Sequence, residues 1–145
     1  MGIRRLAVDL LFTQIISISA ICQQVELKFE HISTDQGLST GTVNCVYKDS
    51  DGFVWIGTID GLNLYDGYEL TIFKNDPDDS TSIGGNIITT IAEDTLGRLW
   101  VGTRNEGISI YDKSKGVFTR YKSSTDEFSL SENYIQDITI DDQNN

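Results

Sequence analysis

One sixteen-residue stretch of the chain is written twice, 45 residues apart. Val43-Asn-Cys-Val46-Tyr-Lys-Asp49-Ser-Asp-Gly52-Phe-Val-Trp55-Ile-Gly57-Thr58 returns as Ile88-Thr-Thr-Ile91-Ala-Glu-Asp94-Thr-Leu-Gly97-Arg-Leu-Trp100-Val-Gly102-Thr103. After one inserted residue, Gly61-Leu-Asn-Leu-Tyr65-Asp66 returns as Gly107-Ile-Ser-Ile-Tyr111-Asp112, and further on Phe73 is matched with Phe118. A third copy opens with Leu130-Ser-Glu-Asn133-Tyr-Ile135-Gln-Asp-Ile138-Thr-Ile-Asp141, echoing the residues from Ile83 to Asp94 at an offset of 47. The sequence reaches Asn145 before the Trp that this copy calls for. A unit recurring at this period is one supersecondary module that buries its apolar faces only against its neighbours.

Each unit reads as four short strands. In the first they cover about 42–47, 53–57, 62–65 and 70–73, rich in Val, Ile, Tyr, Phe and Trp and separated by turn residues. Asp49-Ser-Asp-Gly52 closes the first hairpin, because Asp accepts hydrogen bonds from turn amides and Gly tolerates positive φ. Gly61 and Gly107 open the third strands, where the turn must be tight. Apolar residues fall on both faces of the second strand (Phe53, Val54, Trp55, Ile56), as in a sheet covered on both sides. The expected fold is therefore all-β: four-stranded antiparallel β-propeller blades. A β-sandwich gives no reason for such a repeat, and a β-solenoid coil is usually shorter. The expected organisation is repeat 1 over about 38–82, repeat 2 over about 83–129 and the start of repeat 3 over 130–145. That makes about two and a half blades of an incomplete ring, with Trp55 and Trp100 packed between blades. Residues 29–32 read as an outermost strand lacking its own three inner strands.

Composition narrows the chemistry. Twenty-two acidic side chains face eleven basic ones in 145 residues, a net charge of −11 that repels phosphate backbones, so no nucleic-acid partner is expected. One His and two Cys are too few for a zinc site or a disulfide framework. At the N-terminus, Arg4 and Arg5 precede an apolar stretch from Leu6 to Ile21, broken by Asp9 and by Thr13-Gln14. With small residues at Ala20 and Cys22, residues 1–22 read as a signal peptide cleaved after Cys22. The stretch is too short and polar to span a bilayer comfortably. The expectation is export to the periplasm, with 23–145 as the partial propeller and Cys45 left unpaired.

The twelve residues that define the repeat are Asp49, Gly52, Trp55, Gly57, Gly61 and Tyr65, then Asp94, Gly97, Trp100, Gly102, Gly107 and Tyr111. Their pattern, Asp-x-x-Gly-x-x-Trp-x-Gly-Thr followed by Gly-x-x-x-Tyr-Asp, resembles the two-component regulator propeller repeat. Phe29-Glu-His-Ile-Ser-Thr-Asp-Gln-Gly-Leu-Ser39 resembles the opening of such sensor domains. The resemblance implies the periplasmic sensing region of a membrane-bound hybrid histidine kinase of the kind common in gut Bacteroidetes. In these, propellers bind a glycan fragment, and a β-sandwich and membrane helix relay the signal to kinase, receiver and DNA-binding modules. No such downstream module is recognisable in this sequence. His31 sits in the opening strand and is not a kinase histidine.

Other chemical readings compete with structural ones. Asp49, Asp51 and Gly52 resemble the start of a calcium loop, but the ligand series stops short and a hairpin turn is preferred. Asp76, Asp78 and Asp79 read as a solvated linker rather than a cation site. Tyr65 and Tyr111 suit stacking on sugar rings, yet recur at a fixed position, which favours packing between blades. No catalytic, cofactor or metal residue is named, and no enzymatic activity is expected of this stretch. Expected partners are an oligosaccharide bound by the complete propeller, the remainder of that propeller or a second copy to close it, and a membrane only through downstream parts. The alternatives are a fragment of a propeller enzyme or lectin acting on glycans, or a gene remnant without activity. Too few blades to close a ring leave open strand edges, so marginal folding is expected of the chain alone.

Overall fold

Eight strands form among the described residues, and each hairpin turns where the sequence supplies an Asp, a Gly or both. In the computed structural model, which describes residues 29–141, β1 (Val43–Lys48), β2 (Val54–Thr58), β3 (Gly61–Tyr65) and β4 (Leu70–Phe73) make one sheet. The second contains β5 (Ile88–Glu93), β6 (Leu99–Thr103), β7 (Ile108–Asp112) and β8 (Val117–Tyr121). Both sheets are antiparallel meanders in chain order, so each is one blade. The repeat reaches down to irregularities: the first ladder slips between Val43 and Cys45, and its counterpart slips between Ile88 and Thr90.

The ladders correct one sequence pairing. Leu62 faces Phe73 while its counterpart Ile108 faces Tyr121, and Tyr65 faces Leu70 while Tyr111 faces Phe118. Phe73 therefore corresponds to Tyr121, and Phe118 to Leu70. The last hairpin of blade 2 is two residues longer than that of blade 1, which shifts the alignment.

Blade 2 lies against blade 1 with β5 alongside β1 and β2. The shared core holds Trp55 and Leu62 from the first sheet with Ile88, Ile91 and Phe118 from the second and Ile83 from the connection between β4 and β5. Here the reason for Gly in Trp-x-Gly-Thr becomes visible, and it is space rather than φ. A Cβ on Gly57 would lie 2.7 Å from Ile88 Cγ2 and closer still to Cys45 Sγ. A Cβ on Gly102 would lie 2.7 Å from Ile135 Cγ2 and 2.7 Å from Thr90 Cγ2. Each Gly is the hole into which the following repeat seats an Ile, Ile88 for Gly57 and Ile135 for Gly102. Gly57→Ala is expected to lower stability by about 1–3 kcal/mol through overpacking, read as a drop in urea midpoint. Gly41→Ala, where a Cβ meets nothing within 4 Å, is the control. Equal midpoints for the two variants would refute the knob-and-hole account.

The third copy is placed against blade 2 as blade 2 is against blade 1. Gly107 N donates to Asn133 O at 2.9 Å, as Gly61 N donates to Asn86 O at 2.7 Å. Ser123 N donates to Asn133 Oδ1 and Asn75 N to Asn86 Oδ1, both at 2.7 Å. The Thr89 hydroxyl donates to Ile135 O at 2.6 Å, as Asn44 Nδ2 donates to Ile88 O at 2.7 Å. These contacts do not make residues 130–141 a strand, because no ladder partner lies beside them among the described residues. Residues 29–32, expected as an outer strand, are also irregular, and Phe29 is exposed. The signal-peptide assignment and the cleavage point after Cys22 lie outside the described residues. Among those described, no helix is long and apolar enough to cross a membrane.

Candidate functional site

The Asp-to-Trp hairpin is built identically in both blades. Asp49 O accepts from Gly52 N at 3.0 Å, its Oδ1 from Phe53 N at 2.9 Å and its Oδ2 from the Trp55 indole at 2.8 Å. In blade 2, Asp94 O accepts from Gly97 N at 2.9 Å, its Oδ1 from Arg98 N at 2.9 Å and its Oδ2 from the Trp100 indole at 3.0 Å. Gly52 and Gly97 sit at φ 95° and 75°, which a side chain would resist. One buried carboxylate thus closes the turn and orients the indole six residues on.

Around Asp49 the structure adds a feature that the sequence reading missed. Asp49, Asp51 and Glu93 converge as a carboxylate cluster of the kind that holds a metal ion, but Lys113 stands among them. Its ammonium is 2.9 Å from Asp49 Oδ2, 2.9 Å from Asp51 Oδ2 and 2.7 Å from Glu93 Oε1. Glu93 also accepts from Ser50 N at 2.7 Å and the Ser50 hydroxyl at 2.9 Å, so two side chains of blade 2 grip the first hairpin of blade 1. Burial alone would raise the Asp49 pKa, but the Trp55 indole, Lys113 and the Phe53 amide outweigh it and hold the group below its usual value. Desolvation works against the Lys113 ammonium, yet Glu93, Asp51 and Asp49 prevail and raise it above its usual range. The Lys113 ammonium takes the central position among these carboxylates.

The remaining sequence candidates take structural places. Tyr111 packs against Trp55, Phe73 and Phe118 with ring centroids 5.5, 5.4 and 4.6 Å apart, joining the two blades. Tyr65 donates its hydroxyl to Gly67 O at 2.9 Å. Asp76 Oδ1 and Asp79 Oδ1 accept from Asp78 N and Thr81 N, and Arg120 donates to Asp79 O at 2.7 Å, so this linker is folded upon itself. Trp55 is buried between blades, whereas Trp100 is half-buried and borders two cavities of about 280 and 290 Å³. Cys45 is a free thiol that burial pushes up to about 11, despite a backbone hydrogen bond with Gly57 that lowers it. It stays a thiol at neutral pH.

The polar surface suited to a ligand lies where the turn between β6 and β7 meets the β4–β5 connection. A cavity of about 240 Å³ there is lined by Asn75, Asn86, Thr103, Asn105 and Glu106. A neighbouring cavity of about 330 Å³ is lined by Asn44, Ile59, Thr89, Tyr134 and Gln136. Ile87 and Arg104 line both. Arg104 takes the place that Ile59 has in blade 1, so this cation stands outside the repeat pattern and no motif pointed to it.

Comparison with known proteins fits this geometry. The two component regulator propeller family matches residues 37–60 and 82–105, the two segments carrying the Asp-to-Trp hairpins. Both segments match the regulator propeller repeat. Histidine kinase P4 of Formosa agariphila is 40% identical over 68 residues, 47% of this chain and 5% of that protein. Among solved structures, the extracellular domain of the hybrid two component system designated BT3049 of B. thetaiotaomicron is similar, with a TM-score of 0.67 at 29% identity. That match covers 72% of this chain and 15% of that one. The chain thus spans a small part of each relative.

Proposed function

We propose that these regulator propeller repeats belong to the ligand-reading extracellular region of a two-component sensor, that the chain is exported by residues 1–22, and that the ligand is a glycan fragment. The observation carrying this is the likeness, at 29% identity over 72% of the chain, to an extracellular domain of a hybrid two component system. The groove around Arg104 supports a carbohydrate ligand, since amides and a Tyr ring suit hydroxyl-rich, flat-faced molecules. We read the role as binding and reporting rather than catalysis, because the carboxylate cluster of Asp49, Asp51 and Glu93 holds the Lys113 ammonium and clasps the two blades together instead of standing open as an acid–base pair.

The test is to express the whole chain with its leader, determine the N-terminal residue of the exported product, and titrate it with neutral and acidic oligosaccharides while following its melting temperature. The expected product begins at Gln23 and at least one oligosaccharide class raises the melting temperature. A ligand at a hundred times its Kd stabilises by about 2.7 kcal/mol, a shift of several degrees for a domain of this size. No shift with any class would remove the glycan reading, and retention of residues 1–22 would remove the export reading.

A further inference from the structure

Arg104 is placed as a ligand group rather than a structural one. Its backbone N donates to Ile87 O at 3.0 Å, which fixes the residue at the rim shared by the two polar cavities. Its side chain is exposed and pairs with no carboxylate among the described residues. The acids nearest along the two equivalent turns are already neutralised: Glu106 is held by Lys122, and Asp60 by Lys74 at 2.7 Å. This corner therefore carries a local positive surplus on a chain whose net charge is −11. Such a chain repels polyanions at long range, so an anion that settles here must carry few charges and be held by contact.

Building on the glycan reading, we propose that the groove selects an acidic sugar, with Arg104 receiving the anionic group of a uronate or a sulfate ester. The guanidinium fork matches the two oxygens of either group. Asn86 and Asn105 line one cavity and Gln136 the other; with no hydrogen bond from their side-chain amides to the described residues, these amides are available to sugar hydroxyls, while the half-exposed Tyr134 ring offers a flat apolar surface. Asn75 keeps the wall in place instead, because its amide donates to Ile83 O at 2.8 Å and Gly84 O at 3.1 Å. Gly85 allows the close approach of this wall to Glu106, where a Cβ would fall 2.8 Å from Glu106 Cγ.

The test titrates the full chain with a galacturonate trisaccharide, its methyl ester, a sulfated galactose disaccharide and a neutral galactose trisaccharide, in parallel with Arg104→Gln. The ester keeps the sugar and removes the charge. The free acid, the sulfate or both should bind roughly tenfold or more tightly than the uncharged sugars, the gap expected of a charge-assisted contact. Arg104→Gln should remove that gap, leave uncharged sugars unaffected and leave the melting temperature unchanged. The anion that loses affinity in Arg104→Gln identifies the group recognised. Equal binding of acid and ester, or an acid affinity untouched by Arg104→Gln, overturns the charge assignment and leaves the glycan reading standing. Absence of binding by all four sugars overturns the charge assignment, and the glycan reading then falls only if the wider oligosaccharide panel is also silent.

Discussion

Replacing Trp55 with Ala should abolish the cooperative unfolding transition of the chain. Trp55 is 1% exposed, stacks on Phe73 at 5.8 Å and meets Tyr111 edge-on at 5.5 Å. Truncating a buried Trp costs about 3–5 kcal/mol, against a total of about 5–15 kcal/mol for an ordinary domain. A two-blade unit with open edges sits at the low end of that range. The truncation also strips the buried Asp49 carboxylate of its indole donor, adding about 1–3 kcal/mol. Trp55→Phe keeps a ring in the core while removing the donor and part of the ring volume, so it should be less destabilising than Trp55→Ala. Trp100→Ala is the decisive comparison. Trp100 makes the same bond to Asp94 at 3.0 Å but borders cavities on the far side of blade 2. Its loss should cost clearly less. If Trp55→Ala and Trp100→Ala shift the urea midpoint equally, packing between blades is not what holds Trp55 in place.

That contrast marks the boundary of what the sequence made legible. Strand order, hairpin positions and the pairing of Asp with the following turn follow from residues whose spacing is fixed in both copies, because the period encodes local geometry. The Asp–Trp bond was equally available, since both copies hold the two residues six apart. The register of the fourth strands was not, because the longer hairpin of blade 2 displaces Phe118 to the position of Leu70. The same lengthened hairpin supplies Lys113, whose partner Asp49 lies 64 residues earlier in the chain. No periodic rule announces a contact made by a residue that breaks the period. Arg104 is hidden for the same reason, standing where blade 1 has Ile59. Gly57 and Gly102 show a subtler limit. Their recurrence was plain, but its cause is the space needed by Ile88 and Ile135 of the next repeat, which only the packed blades display.

Lys113→Met should destabilise the chain at neutral pH by about 3 kcal/mol, near the lower end of what uncoupling a buried ion pair costs. The side chain of Asp49 is fully buried and that of Glu93 nearly so, at 0% and 7% exposure, whereas Asp51 is 58% exposed and contributes little. Methionine fills the space of the lysine stem and leaves two carboxylates facing each other without a cation. The pH dependence discriminates between lost charge and lost packing. In the native chain Asp49 titrates below its ordinary value of 3.8, so the stability it confers is present above about pH 4 and is lost as the pH falls through the lowered value. Lys113 titrates above its ordinary value of 10.5, so its contribution is present below that pH and lost only in stronger alkali. Between these limits the wild-type clasp is insensitive to pH. In Lys113→Met the sign reverses: with the ammonium gone, burial and the neighbouring carboxylate charges push Asp49 upward, the folded state binds protons more readily than the unfolded one, and stability rises on acidification. Urea midpoints measured from pH 7 to pH 5 should therefore climb for Lys113→Met and stay level for the parent. A parallel decline of both curves would mean that the ammonium contributes packing alone and that the blades are joined by their aromatic core without an electrostatic clasp.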